Sequence, residues 1–200
     1  MIFALIPAAG KSTRMGRPKL ALPLGEKTVL EHVIAALRQA GIEQILVVIG
    51  PHVPELAPIV ERSGATALVL EEETADMQAT VIRGLAWLET RFQPKDSDLW
   101  LLIPADHPTL DASLVWHLIE AAARAPQSSI TVPTFDGKRG HPALIRWKHV
   151  PQIKALPAGS GLNVFLRQQE VVTLEVPVTM RDILIDLDTP QDYAALQQRF

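Results

Sequence analysis

The sequence predicts an α/β fold, a mostly parallel and twisted sheet with helices on both faces. Three observations lead there. Strand-length apolar runs recur along the 200 residues, segments of helical periodicity separate them from the N-terminus onward, and a hydrophobic content of 48% suits one domain with a substantial core. Most of the runs are continuously apolar rather than alternating, as strands buried on both faces require.

The elements follow in order. Phe3 to Ile6 is the first expected strand; after a basic loop, Val29, Leu30, Val33, Ile34 and Leu37 recur at three and four, a helix ending at Gly41. Ile45 to Ile49 and Ala67 to Leu70 are strands, and Val81, Leu85 and Leu88 mark the next helix. Leu99 to Ile103 is a strand ahead of a helix carrying Leu114, Val115, Leu118 and Ile119. Ile130 to Pro133, Ala143 to Ile145, Val171 to Val176 and Ile183 to Leu187 complete the expected strands. Pro94 to Asp98 and Pro133 to Pro142 read as loops, the second either a lid over part of a site or a plain hairpin turn. No repeat, low-complexity stretch or Ser/Gly linker divides the chain, so residues 1–200 are expected to form a single domain. In a Rossmann-like sheet ligands bind beyond the C-terminal strand ends. The basic loop, Pro104 to Pro108 and Asp186 to Asp188 should therefore meet on one rim.

Composition narrows the function. The absence of cysteine excludes disulfides, thiol catalysis and a Cys-ligated zinc, and it suits a reducing cytosol, so a cytoplasmic location is expected. The apolar start is too short to span a membrane, and its basic residues follow the apolar run instead of preceding it, so neither a targeting segment nor a membrane partner is expected. Net charge −3 gives no attraction for nucleic acid.

Charge distribution is more telling. The first 25 residues hold no acid but carry Lys11, Arg14, Arg17 and Lys19, which leaves −7 on the remaining 175. A local positive field beside Gly10 and Gly16, glycines free to take unusual backbone angles, suits phosphate. A Walker loop would need glycine at position 5, which is Leu, and the dinucleotide pattern would need its second glycine where Ser12 stands. Downstream, Leu99 to Ile103 runs into Asp106, held between Pro104 and Pro108. A carboxylate at a strand end opposite a basic loop meets the need of Mg²⁺ for one or two carboxylates plus phosphate oxygens. Its alternative role is a helix N-cap, for which Thr109 and Asp111 are better placed. Asp186 and Asp188 are expected on one side of an extended strand, with Thr189 or Asp188 capping the helix that Pro190 opens. Met77 to Thr80 starts a helix whose free N–H groups, with the Gln78 and Thr80 side chains, could read a base edge; Asp76 is the alternative, as a simple cap.

The run Ala8-Ala9-Gly10-Lys11-Ser12-Thr13-Arg14-Met15-Gly16-Arg17-Pro18-Lys19 resembles the signature of the molybdopterin nucleotidyltransferase-like, or MobA-like NTP transferase, family. The Asp106 strand end, Arg139-Gly140-His141-Pro142 and the tail Asp186-Leu187-Asp188-Thr189-Pro190 resemble later elements of that family in the same order. The resemblance implies a nucleotide-diphospho-sugar transferase type of fold and an Mg²⁺-dependent nucleotidyltransferase. It implies nucleotide binding by Ala8, Ala9, Gly10, Arg14 and Lys19, to which Lys11, Ser12, Gln78 and Thr80 are added as candidates by their own positions, with Arg14, Lys19 and Asp106 catalytic. Asp106 with Asp186 or Asp188 would hold metal, and Arg139, Gly140, His141 and Pro142 would bind the acceptor. Ala9 stands where the guanylyl branch has glycine, which points to the cytidylyl branch, with CTP as donor, molybdopterin as acceptor and a molybdoenzyme as a further partner. Leu156 to Asn163 lacks the acid and arginine of the family's Gly-Asp-x-Gly-x-Arg run, so a sugar 1-phosphate or another small phosphorylated metabolite stays open as acceptor. A non-catalytic cofactor-handing chaperone is the reading from another class, and the intact Arg14, Lys19 and Asp106 argue against it.

Overall fold

The computed structural model describes residues 1–200. β1 (Ile2–Ala8) enters a loop containing two single-turn 3-10 helices, Thr13–Met15 and Lys19–Ala21. The antiparallel ribbon of β2 (Pro23–Leu24) and β3 (Lys27–Thr28) follows, then α1 (Val29–Gln39), β4 (Gln44–Ile49), α2 (Leu56–Arg62) and β5 (Thr66–Val69). Next come α3 (Met77–Phe92), β6 (Leu99–Leu102), α4 (Ala112–Arg124), β7 (Ile130–Phe135), β8 (Lys138–Arg139) and β9 (Ala143–Arg146). α5 (Val150–Lys154), α6 (Leu162–Gln168), β10 (Thr173–Pro177) and α7 (Pro190–Gln197) complete the chain.

The main sheet runs β10-β7-β9-β6-β1-β4-β5, with β8 paired to β7. β1 is parallel to both β4 and β6, so the chain turns outward in opposite directions from it. The crevice at such a switch point receives ligands, and the basic loop leaves β1 there. β9 alone among the seven runs antiparallel, wedged between β6 and β7. The sheet is thus mostly parallel, and its inner strands are buried on both faces, which is why their sequences are continuously apolar.

One face packs under α1, α2 and α7, where Val29, Val33, Leu37, Ile59, Tyr193 and Leu196 meet Ile6, Val47 and Ile49. α3, α5 and α6 cover the other through Val81, Leu85, Ile153 and Phe165 against Phe3, Leu5, Trp100 and Val132. α3 lies so close to β1 that a Cβ on Gly84 would stand 2.3 Å from Leu5 Cδ1 and 2.8 Å from Val48 Cγ2, so only glycine fits. Thr28 and Glu31 form a capping box that fixes the start of α1. No helix is long and apolar enough to cross a membrane.

One expectation changes and another is settled. Ile183 to Leu187 is not a strand: Arg181–Leu184 is a 3-10 turn, and the segment after it has no sheet partner. It crosses the rim, receiving the His141 N–H on the Ile183 carbonyl (3.1 Å) and donating the Leu187 N–H to the Asp106 carbonyl (3.1 Å). Ile183 and Leu187 are buried without strand pairing, Ile183 against Leu114 and Leu118 of α4 and Val176 of β10. The Pro133 to Pro142 loop resolves to the hairpin: most of it is β7-β8, turned by Asp136 (φ 49°) and Gly137 (φ 72°) in the left-handed region that two-residue hairpins favour.

Candidate active site

The loop after β1, the segment before α3, the end of β6 and the tail before α7 enclose a cleft of about 540 Å³. Ala8, Ala9, Gly10, Lys11, Ser12, Arg14, Lys19, Thr80, Asp106 and Asp188 line it. Gly10 differs from expectation: its φ is not positive, while Ser12 (φ 50°) and Gly16 (φ 66°) make the left-handed bends of the loop. A Cβ on Gly10 would meet no protein atom within 4 Å, so internal packing does not demand glycine there. Arg17 leaves the cleft and stacks over the Tyr193 ring of α7 at 5.5 Å.

The remaining cations are paired across the cleft. Lys19 Nζ donates to Asp106 Oδ2 (2.5 Å), the Leu187 carbonyl (2.6 Å) and Asp188 Oδ1 (3.0 Å). Arg14 Nη1 donates to Asp188 Oδ2 (2.8 Å), and Lys11 pairs with Glu73 (2.8 Å) in the loop after β5. The Lys19 and Asp106 side chains are only 15% and 19% exposed, so this pair is largely shielded from water, whereas Arg14 is 74% exposed. Burial disfavours the Lys19 ammonium, but Asp106 and Asp188 outweigh it and hold its pKa above the ordinary value. A cation already sits among two carboxylates and a carbonyl oxygen. That donor set fits Mg²⁺, which takes one or two carboxylates and completes its shell with phosphate oxygens and water.

Asp188 and Asp186 are not equivalent. Asp188 is at the cleft, its backbone N–H donating to Asp192 Oδ2 (3.2 Å) in the capping box of α7. Asp186 does not line the cleft; burial and the Asp106 charge raise its pKa, with His141 opposing and Asp188 adding to the shift. The expected placing of both acids on one strand face therefore fails with the strand itself.

Gln78 is also displaced from its expected role. It lies in the first turn of α3, but its side chain is buried and bonds the loop before α6, away from the cleft. Asp76 caps α3, accepting from the Ala79 N–H (2.8 Å), and the Thr80 hydroxyl is engaged by Thr74 Oγ1 (2.6 Å) and the Asp76 carbonyl (3.1 Å). Asp76 and Met77 line the cleft, and so do Thr74 and Ala75, which sequence reasoning did not foresee. The available signal was the position of this loop after β5, whose C-terminal end faces the same rim.

Arg139, Gly140 and His141 line a second cavity of about 540 Å³ with Lys138, Asn163, Arg167, Glu170 and Glu175. Arg139 Nε donates to Glu175 Oε1 (2.7 Å) and Nη1 to the Leu166 carbonyl (3.4 Å). Gly140 is required, since a Cβ would stand 2.5 Å from the Ile183 carbonyl oxygen. Pro142 is buried and lines neither cavity. His141 packs edge-on against His107 (5.9 Å), its Nδ1 buried without a partner. Burial, then the neighbouring His107, pushes the His141 pKa down, so the ring is neutral near pH 7.

Comparison with known proteins shows the fold and the family. A crystal structure from Mycobacterium sp. strain JC1, a homologue of a Mycobacterium tuberculosis protein, superposes with a TM-score of 0.80 at 26% identity over 99% of this chain and 96% of that one. The molybdenum cofactor cytidylyltransferase of Escherichia coli K12 is 24% identical over 202 residues, 100% of this chain and 97% of that enzyme. The 2-C-methyl-D-erythritol 4-phosphate cytidylyltransferase of Ralstonia nicotianae is 36% identical over 126 residues, 60% of this chain, and that match spans about half (49%) of its length. The family model described as the MobA-like NTP transferase domain matches residues 4–173, and the chain belongs to that family.

Proposed function

We propose that this chain is a cytidylyltransferase that moves CMP from CTP to a phosphorylated small-molecule acceptor, with molybdopterin the favoured acceptor and pyrophosphate the second product. The observation that carries the reading is the convergence of Arg14, Lys19, Asp106 and Asp188 in one cleft at the switch point of the sheet, beside a second cavity. The family and the full-length similarity to an Escherichia coli enzyme of that activity support it.

The chain's own residues would act by exchanging partners. Without ligand, Lys19 and Arg14 are neutralised by Asp106 and Asp188. An entering triphosphate would take both cations, and the freed Asp106 and Asp188 would hold Mg²⁺, which would supply electrostatic stabilisation as charge shifts toward the leaving pyrophosphate. The Ala8 to Gly10 backbone, which lines the cleft, would contact the base. An acceptor phosphate oxygen attacks the α-phosphorus, a new P–O bond forms as the bond to the bridging oxygen breaks, and pyrophosphate departs with that oxygen and its electron pair. The attacking phosphate is already an anion, so neutral His141 shapes the second cavity instead of removing a proton.

A second reading keeps the chemistry and replaces molybdopterin with a sugar 1-phosphate or another small phosphorylated metabolite. The sequence Ala158-Gly159-Ser160-Gly161 favours it, being without the acid and arginine of the family run. A cytoplasmic site of action is common to both readings, and transfer of the product to a molybdoenzyme belongs to the first only. Pyrophosphate release from each of the four nucleoside triphosphates, with Mg²⁺ and with or without molybdopterin, tests both. Release that needs CTP and molybdopterin together is expected; release without molybdopterin but with a sugar 1-phosphate selects the second reading, and release with no acceptor tried sinks both.

A further inference from the structure

Gln78 is 3% exposed, yet it is a polar residue in the first turn of α3, the helix whose start walls the nucleotide cleft through Asp76, Met77 and Thr80. Its side-chain nitrogen donates to the carbonyls of Pro157 (3.1 Å) and Leu156 (3.4 Å). Its oxygen accepts from the Gly161 N–H (2.9 Å) and faces the Ser160 hydroxyl at 3.4 Å, whose single hydrogen is directed to the nearer Pro157 carbonyl (2.8 Å). Both N–H groups and the oxygen of the amide are thus turned to one loop.

That loop leads straight into α6. Gly161 is the N-cap residue of α6, which has no side-chain cap of its own, and Gly159 and Gly161 both have φ 76°. Ser160 otherwise bonds only Pro157 within the loop, through its N–H (3.2 Å) and its hydroxyl (2.8 Å). α6 supplies Asn163, Leu166 and Arg167 to the second cavity, and Arg139 grips its other end at the Leu166 carbonyl. A packing role alone would be met by an apolar side chain, since Val81, Leu85, Leu162 and Phe165 belong to the apolar core on this face.

We infer that Gln78 is a positioning residue: it fixes the α6 wall of the second cavity to the α3 wall of the nucleotide cleft, so that an occupied cleft steadies the cavity beside it. The inference rests on the nucleotidyl-transfer reading, in which the second cavity receives the acceptor. It goes beyond that reading by giving one buried amide control over acceptor binding without contact with either substrate.

Hydrogen exchange of residues 156–168 in the full chain, with and without CTP and Mg²⁺, tests it alongside calorimetric CTP affinity for the wild type, Gln78→Leu and Gln78→Glu. In the wild type CTP should slow exchange in this segment by about threefold or more. In Gln78→Leu exchange without ligand should rise roughly tenfold and the CTP effect should vanish, while CTP Kd changes by less than about threefold. Gln78→Glu keeps the acceptor oxygen for Gly161 but turns a carboxylate oxygen onto the Leu156 and Pro157 carbonyls, so its segment should exchange at least as fast as that of Gln78→Leu. With saturating CTP and varied molybdopterin, Gln78→Leu should raise the acceptor KM about tenfold and leave kcat nearly unchanged. Wild-type exchange and acceptor KM in Gln78→Leu would overturn the inference, as would wild-type CTP binding with no slowing of the segment. Failure of the wild type to bind CTP would overturn the functional reading itself, and the inference with it.

Discussion

Lys19 is held by oxygens from two distant parts of the chain, and those neighbours decide what its loss does. Lys19→Ala removes a largely shielded charge meant for the triphosphate, so CTP-dependent pyrophosphate release should fall about a hundredfold or more while the chain still folds. The same change strips the largely shielded Asp106 of its paired cation and leaves Asp188 with Arg14 alone. Its melting temperature should therefore fall below that of the wild type, and scanning calorimetry checks this. Ala9 governs a different property. Its methyl group lines the cleft where the guanylyl branch has glycine, so CTP should be preferred to GTP by roughly ten- to two-hundred-fold in kcat/KM, and Ala9→Gly should raise GTP use. A wild-type preference for GTP would end the cytidylyl assignment and leave nucleotidyl transfer standing. The positions of Arg14, Lys19 and Asp106 were legible because segregated charge and a strand ending between prolines are local signals. Gln78 was not: its partner Gly161 lies 83 residues away, and nothing near position 78 announces it.

At the scale of elements, α7 contributes to the cleft through its cap. Asp192 Oδ2 accepts the backbone N–H groups of Asp188 (3.2 Å) and Thr189 (2.7 Å) and the Thr189 hydroxyl (2.8 Å), so the carboxylate that caps the helix also holds Asp188 in place. Asp192→Ala should cost about 1 kcal/mol of stability and weaken CTP binding as well. Thermal unfolding and calorimetry on one sample separate the two losses, and a stability loss with unchanged CTP affinity would confine Asp192 to the helix. This cap was readable, because Thr-Pro-x-Asp is a helix-start pattern. The strand expected over Ile183 to Leu187 was misleading for a physical reason. An apolar run reports burial, and it says nothing about whether the burying partner is a strand or a loop. The reversed direction of β9 was invisible in the same way, since periodicity carries no sign. α2 and α6, at 7 residues each, and α5, at 5, are too short to establish a recurring face.

For the molecule as a whole, imidazole burial sets the pH response. Burial first, opposed by Asp106 and Asp182, lowers the pKa of His107; burial, reinforced by His107, lowers that of His141; burial also leads for His149. Each holds fewer protons folded than unfolded once pH falls below the ordinary value of 6.5. Their contribution to stability is therefore fully present above pH 6.5 and is lost as pH falls through the lowered folded values. Asp186 has the opposite sign, its raised folded pKa costing stability as pH rises past 3.8, so it acts in a more acidic window. Unfolding midpoints from pH 8 to 5 should fall toward acid, and substituting His107 and His141 by Gln should flatten that slope.

The ammonium bridge from Lys19 to Asp188 spans 169 residues of sequence. Contacts of such separation form only after the chain has met the entropy of closing a loop that takes in most of its length, so the cleft is completed late in folding. A collapsed intermediate with β1, β4 and β6 already paired would still lack half of the site. Nucleotide would then discriminate sharply between the finished fold and everything before it, stabilising the former by RT ln(1 + [L]/Kd) and leaving the intermediates untouched. Bound nucleotide would slow unfolding without hastening the early steps of refolding.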